Sequence, residues 1–105
     1  LLVHGHSGLF ASFRGLIALK DHTDLPAAAP NPCETCLDKP CKLACPIGAL
    51  TPDGYDVDGC KDFMRSAEGR SCLSGCKVRL SCPVSQNFGR VTEQSEFHMK
   101  AFLGE

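Results

Sequence analysis

Cys33-Glu34-Thr35-Cys36-Leu37-Asp38-Lys39-Pro40-Cys41-Lys42-Leu43-Ala44-Cys45-Pro46 is the stretch that decides the fold of this chain. Four thiols lie between positions 33 and 45, and proline follows the last of them. Towards the C-terminus four more cysteines follow, Cys60, Cys72, Cys76 and Cys82, and Cys82-Pro83 repeats the Cys-Pro ending. No cysteine precedes Cys33 or follows Cys82. Written as spacing, the run is C-x2-C-x4-C-x3-C-P, 14 residues, C, 11 residues, C-x3-C-x5-C-P.

The whole chain has 105 residues, eight of them cysteine. That length holds one domain. A domain so small buries a modest core, so disulfides or metals commonly reinforce it. The other totals exclude more than they suggest. Eleven Lys and Arg against twelve Asp and Glu leave a formal charge of −1, which argues against a strongly basic nucleic-acid binder. A hydrophobic share of 43% is too high for a disordered tail. No apolar run reaches the length of a membrane span. The apolar start, Leu1 to Leu19, is broken by His4, His6 and Arg14 and has no basic leading segment, so it does not read as a signal peptide. The expected location is the cytoplasm. With no initiator Met, the chain is expected to be processed or part of something longer.

Three chemistries compete for the eight thiols. A disulfide framework suits an even count, but 105 connectivities are open and a reducing cytosol disfavours them. Two four-cysteine zinc sites would use the close pairs Cys33/Cys36 and Cys72/Cys76 as knuckles. Zinc leaves Cys60 isolated and the two Cys-Pro endings unexplained. Two [4Fe-4S] clusters account for both features. In two-cluster ferredoxins a short loop wraps three thiolates around one cube, and a fourth cysteine, followed by proline, reaches the other cube. Proline there turns the chain away and removes a backbone donor.

The first quartet, with Ile47-Gly48-Ala49-Leu50 after it, resembles the first half of a bacterial-type two-[4Fe-4S] ferredoxin domain. Tyr55-Asp56-Val57-Asp58-Gly59-Cys60, followed by Cys72, Cys76 and Cys82-Pro83, is similar to the iron–sulfur region of epoxyqueuosine reductases and of reductive dehalogenase-like proteins. Those are corrinoid-dependent enzymes. More weakly, Leu1-Leu2-Val3-His4, Ser7-Gly8-Leu9-Phe10 and Thr23-Asp24-Leu25-Pro26 are similar to the stretch that precedes the clusters there. The spacing departs from the usual ferredoxin motif in two places. Four residues separate Cys36 from Cys41 instead of two, and five separate Cys76 from Cys82 instead of about three.

The resemblance implies a ligand set. Cluster I takes Cys33, Cys36, Cys41 and Cys82; cluster II takes Cys45, Cys60, Cys72 and Cys76. The competing assignment uses consecutive quartets. It also implies an α+β, ferredoxin-like bis-[4Fe-4S] domain, with short helices and loops around the clusters, over residues 33–105. A short β-hairpin-like segment and a Pro-rich linker over 1–32, a remnant of a larger upstream domain, come before it. The expected function is single-electron relay through two [4Fe-4S] clusters to a redox partner protein or an adjacent cofactor domain. The alternative is the iron–sulfur half of a corrinoid-dependent reductase, with cobalamin in the upstream half and tRNA as a nucleic-acid partner under that reading alone. A structural zinc protein is the third. No Ser/His/Asp set, phosphate loop or carboxylate pair claims catalysis. Two bound clusters would take the net charge from −1 to roughly −5, since the ligands are thiolates.

Local patterns complete the expectation. Residues 1–19 fit a helix face or a buried strand about equally by period; the resemblance favours two strands joined by a turn at Gly5 to Gly8. Pro26, Pro30 and Pro32 make residues 21–32 an extended linker. Ile47 to Leu50 fits one helical turn and Thr51-Pro52-Asp53-Gly54 a tight turn. Asp58 is an expected N-cap for a helix to about Ala67, with Gly69 as its stop. Cys60, Phe63 and Met64 then share a face. A second helix runs from a Thr92 cap to about Leu103, with Phe97, Ala101 and Phe102 inward and Gly104 as stop. Gly48 and Ala49 are small enough for their N–H groups to approach cluster sulfurs. His4, His6 and Arg14 read as packed or solvated side chains before they read as functional ones. Residues 31–58 carry five acids and two bases, and 61–90 six bases and two acids. That reads as a solvated surface, a docking face or compensation for anionic clusters.

Overall fold

The structure, a computed structural model, describes residues 1–105. Its regular elements begin where the cysteines begin. Asn31 caps a single turn, α1 (Pro32–Thr35), by accepting from the Cys33 N–H at 3.0 Å, with Pro32 at the first helical position. A 3-10 turn follows at Pro40–Lys42. The four residues between Cys36 and Cys41 end on Lys39, which adopts a left-handed backbone at φ 42° to re-enter that turn.

Next comes a two-stranded antiparallel hairpin, β1 (Leu50–Thr51) and β2 (Gly54–Tyr55), in the register Leu50 to Tyr55 and Thr51 to Gly54. The expected turn at 51–54 is its connection. The helical turn expected at 47–50 is replaced by a bend through Gly48, at φ 62°, into β1. Helix α2 (Val57–Arg65) takes its cap two residues before the expected one. Asp56, not Asp58, accepts from the Gly59 N–H at 2.9 Å. Asp58 falls in the first turn, where a carboxylate favours the helix dipole. The helix also stops earlier than expected, at a Ser66 C-cap whose hydroxyl donates to the Phe63 carbonyl. Gly69 belongs instead to a 3-10 segment, Glu68–Ser74, and packs against the Phe63 carbonyl so closely that a Cβ has no room.

Two short helices, α3 (Lys77–Ser81) and α4 (Pro83–Asn87), share Cys82 as the C-cap of one and the N-cap of the other. Helix α5 (Thr92–Leu103) ends, as expected, on Gly104 in the left-handed region. Its N-cap is Val91 and no side chain caps it. Its buried residues are Ser95 and Leu103, and Phe102 is half-buried. Phe97 and Ala101 are exposed, which corrects their expected inward placement.

The expected N-terminal pair of strands is reduced to one antiparallel bridge, His4 to Gly8, around a turn. Residues 11–31 form no regular element. Phe13, Leu16, Ile17 and Leu19 are exposed, at 71%, 97%, 89% and 66%. A strand needs a ladder partner, and these residues meet none here. The extension shows in the dimensions. The radius of gyration is 15.5 Å, against about 13 Å for a compact chain of this length, and the longest axis is 50 Å. Two small hydrophobic clusters hold the rest. One is Leu9, Val78 and Cys82, with Cys41, Cys45 and Cys76 packed against it. The other is Met64, Cys72 and Leu103, with Cys60, Phe63 and Met99 packed against it. The architecture is thus α+β in the broad sense: short helices around one small hairpin.

Candidate metal centre

All eight cysteines are free thiols. Cys33, Cys36, Cys41 and Cys82 border one cavity of about 660 Å³, walled by Pro32, Pro40 and Pro83. Three of these thiols come from the loop around α1 and the 3-10 turn, and the fourth from the distant junction of α3 and α4. The proline after Cys82 starts α4, and Pro83 and Val84 line the cavity beside it. Next to Cys82, α4 is tied to the N-terminal segment. Ser85, 1% exposed, accepts from the Leu9 N–H at 2.8 Å and donates to the Ser7 carbonyl at 3.5 Å. Gly8, at φ 59°, lets the N-terminal segment press against Ser85 and Cys82. Desolvation pushes the Cys82 thiol up. The Ser85 amide and hydroxyl and the amides of Val84 and Leu9 outweigh it, so its pKa ends below the ordinary value. A thiolate is the form that binds metal.

Cys45, Cys60, Cys72 and Cys76 form the second group. Cys72 is buried and its pKa is raised, first by desolvation and then by the charges of Cys76, Cys60 and Cys45, with Lys77 opposing them. The same three thiols act on Tyr55. Its hydroxyl is held protonated by burial, by an interaction with the Cys60 side chain and by the charges of Cys60, Cys76 and Cys45. Cys45, Cys60 and Cys76 thus lie near enough for their charges to reach both Cys72 and Tyr55. Cys60 stands on α2 one turn before buried Met64, as the spacing predicts. The Ala49 N–H donates to Cys45 Sγ at 3.3 Å, the contact expected from the small residues after Cys45-Pro46. Gly48 at φ 62° supplies the bend that aims it.

The thiols do not converge on a point. No group of three His, Cys, Asp or Glu side chains comes close enough to hold a single metal ion. Tetrahedral zinc keeps each sulfur about 2.3 Å from the ion and hence its sulfurs about 3.8 Å from one another. The two groups are also neighbours. Cys41 and Cys82 of one, and Cys45 and Cys76 of the other, pack against the same cluster around Leu9 and Val78.

Sequence reasoning missed Ser85, Tyr55 and Leu9. Ser85 had a readable signal, a hydroxyl three residues after Cys82 on a helix that Pro83 starts. Leu9 had none, since its partner is 76 positions away. His4 accepts from the His6 and Ser7 amides through Nδ1, and so stabilises its own turn. The exposed ring of His6 meets Phe88 edge-on at 5.4 Å. No family model matches the chain, and no curated protein or solved structure matches it.

Proposed function

We propose that this protein is an iron–sulfur electron carrier of ferredoxin type. In this reading Cys33, Cys36, Cys41 and Cys82 bind one [4Fe-4S] cluster, and Cys45, Cys60, Cys72 and Cys76 bind a second. The observation that carries it is the cavity bordered by Cys82 together with three cysteines some forty residues upstream, the crossing that two-cluster motifs require. The clusters supply one-electron chemistry. The chain sets access, separation and potential. Ser85, Val84 and Leu9 surround Cys82 with donors, and Ala49 and Tyr55 do the same for Cys45 and Cys60. Leu9 and Val78 pack between cysteines of the two groups.

One observation favours a second reading, the iron–sulfur half of a corrinoid-dependent reductase resembling epoxyqueuosine reductase. The apolar stretch Phe13 to Leu19 stands exposed with no partner, as an edge that docks on another domain does. Metal and acid-labile sulfide analysis of anaerobically purified protein tests the site. About eight irons and eight sulfides per chain are expected, with a visible absorbance shoulder bleached by dithionite. About four irons, or zinc in their place, overturns the two-cluster proposal.

A further inference from the structure

A second cavity, of about 210 Å³, lies between α5 and the N-terminal segment. Its walls combine two kinds of side chain. Arg79, Arg90 and His98 are basic; Phe10, Met99 and Phe102 are apolar. None of its lining residues is an acid, and the three ion pairs of the molecule lie elsewhere, at His22–Asp24, Arg65–Asp62 and Lys100–Glu96. No carboxylate side chain of the cavity therefore pairs with this positive charge. Burial, then the guanidiniums of Arg90, Arg14 and Arg79, push His98 below its ordinary pKa, a measure of that field.

The donors are partly committed. Arg79 Nη1 donates to the Leu9 carbonyl at 2.6 Å and the Ala11 carbonyl at 3.2 Å, which ties down the N-terminal segment. Arg90 stacks on the Phe10 ring at 4.7 Å, and its Nε is buried with no hydrogen-bond partner. A buried guanidinium N–H without an acceptor is costly unless a ligand supplies one. A planar guanidinium fork matches a carboxylate.

We propose that this cavity binds a small organic carboxylate, its oxygens held by Arg90 and Arg79 and its apolar body against Met99 and Phe102. A bare inorganic anion would leave the apolar walls unused, and a neutral molecule would leave the charge unpaired. Cys76 also borders the cavity, so under the proposed function the carboxylate lies against the second cluster, as a substrate or a modulator of its potential would.

Calorimetric titration of the full chain, purified anaerobically, tests the site at low ionic strength with benzoate, acetate and inorganic phosphate as probes. The expected result is saturable one-site binding of benzoate that is tighter than that of acetate or phosphate. Arg90→Gln should weaken benzoate at least about tenfold, the worth of one charge-assisted hydrogen bond. Arg65→Gln, at an exposed arginine outside the cavity, should leave it unchanged. Should Arg90→Gln not fold, His98→Asn carries the test, with a loss of about threefold. Absence of saturable benzoate binding, preference for phosphate, or unchanged affinity in a folded cavity variant overturns the proposal. The same titration repeated after a chelator has removed any iron separates failure of this site from failure of the electron-transfer reading.

Discussion

The two cysteine groups sit in unlike surroundings. Cys33, Cys36 and Cys41 are carried by one-turn elements beside an open cavity, and Cys33 is exposed. The second group is attached to longer helical structure. Cys72 is buried with Met64 and Leu103, and α2 and α5 both pack on the segment that bears it. Cys82 of the first group is buried with Leu9 and Val78, but Cys33, Cys36 and Cys41 rest on hydrogen bonds and proline turns, whereas the second group centres on the burial of Cys72. Solvent exposure and donors to sulfur are the main handles a protein has on a cluster, so under the proposed function this asymmetry would give the two sites different lability and potential.

The sharpest way to break the comparison is to remove the burial. Met64 is fully buried, and Met64→Ala should cost about 2–5 kcal/mol, read by chemical denaturation. The cavity at Cys33, Cys36, Cys41 and Cys82 does not include Met64 and, under the proposed function, should keep its iron. Loss of iron from both groups at once would show that they are not separately supported. Release of iron to a chelator is expected in two phases, the exposed group first. Cys33→Ala should abolish the fast phase and Cys72→Ala the slow one, each with about half the iron lost. A single phase in the parent protein would contradict the asymmetry.

Ser85→Ala probes the hydrogen-bonded side. It leaves the Leu9 N–H and the Cys82 thiol without the hydroxyl. Stability should fall by about 1–2 kcal/mol, and chelation of the first group should quicken while the second is unaffected. The smallest expected effect is a pH dependence. His98 has a folded pKa below its unfolded value, so the unfolded chain binds more protons between the two. Stability should therefore rise with pH from the folded pKa up to about 6.5, and the penalty should be complete below that window. Arg90→Gln should narrow the window. A slope of opposite sign in denaturation midpoints between pH 5 and 7 would refute the assignment.

Much of the site was legible in the chain because its signals are local. Cys-Pro endings, the 51–54 turn, Gly104 as a helix stop and the Cys60, Met64 face all depend on residues within a turn or two of one another. Errors arose where two local candidates competed. Asp56 and Asp58 are both capable N-caps. Asp56 takes the position because β2 ends at Tyr55 and Gly59 offers its N–H without a Cβ in the way. Phe97 was assigned to the core by period, yet α5 turns Ser95 and Leu103 inward, because α5 packs on the 3-10 segment around Cys72. The strand expected over 13–19 reads as apolar and finds no ladder, since strands depend on partners and not on their own sequence.

By itself the sequence determined the number of thiols, their grouping into loops and the points where proline turns the chain, since spacing and backbone restriction are properties of neighbours. Only the tertiary structure decided that Cys82 faces the cavity of Cys33, Cys36 and Cys41, that Ser85 links Leu9 to Cys82, and that Arg79, Arg90 and His98 surround one unpaired volume. Those pairings join residues tens of positions apart. They form because burying Leu9, Val78, Met64 and Leu103 in two small clusters leaves few other ways to close the chain.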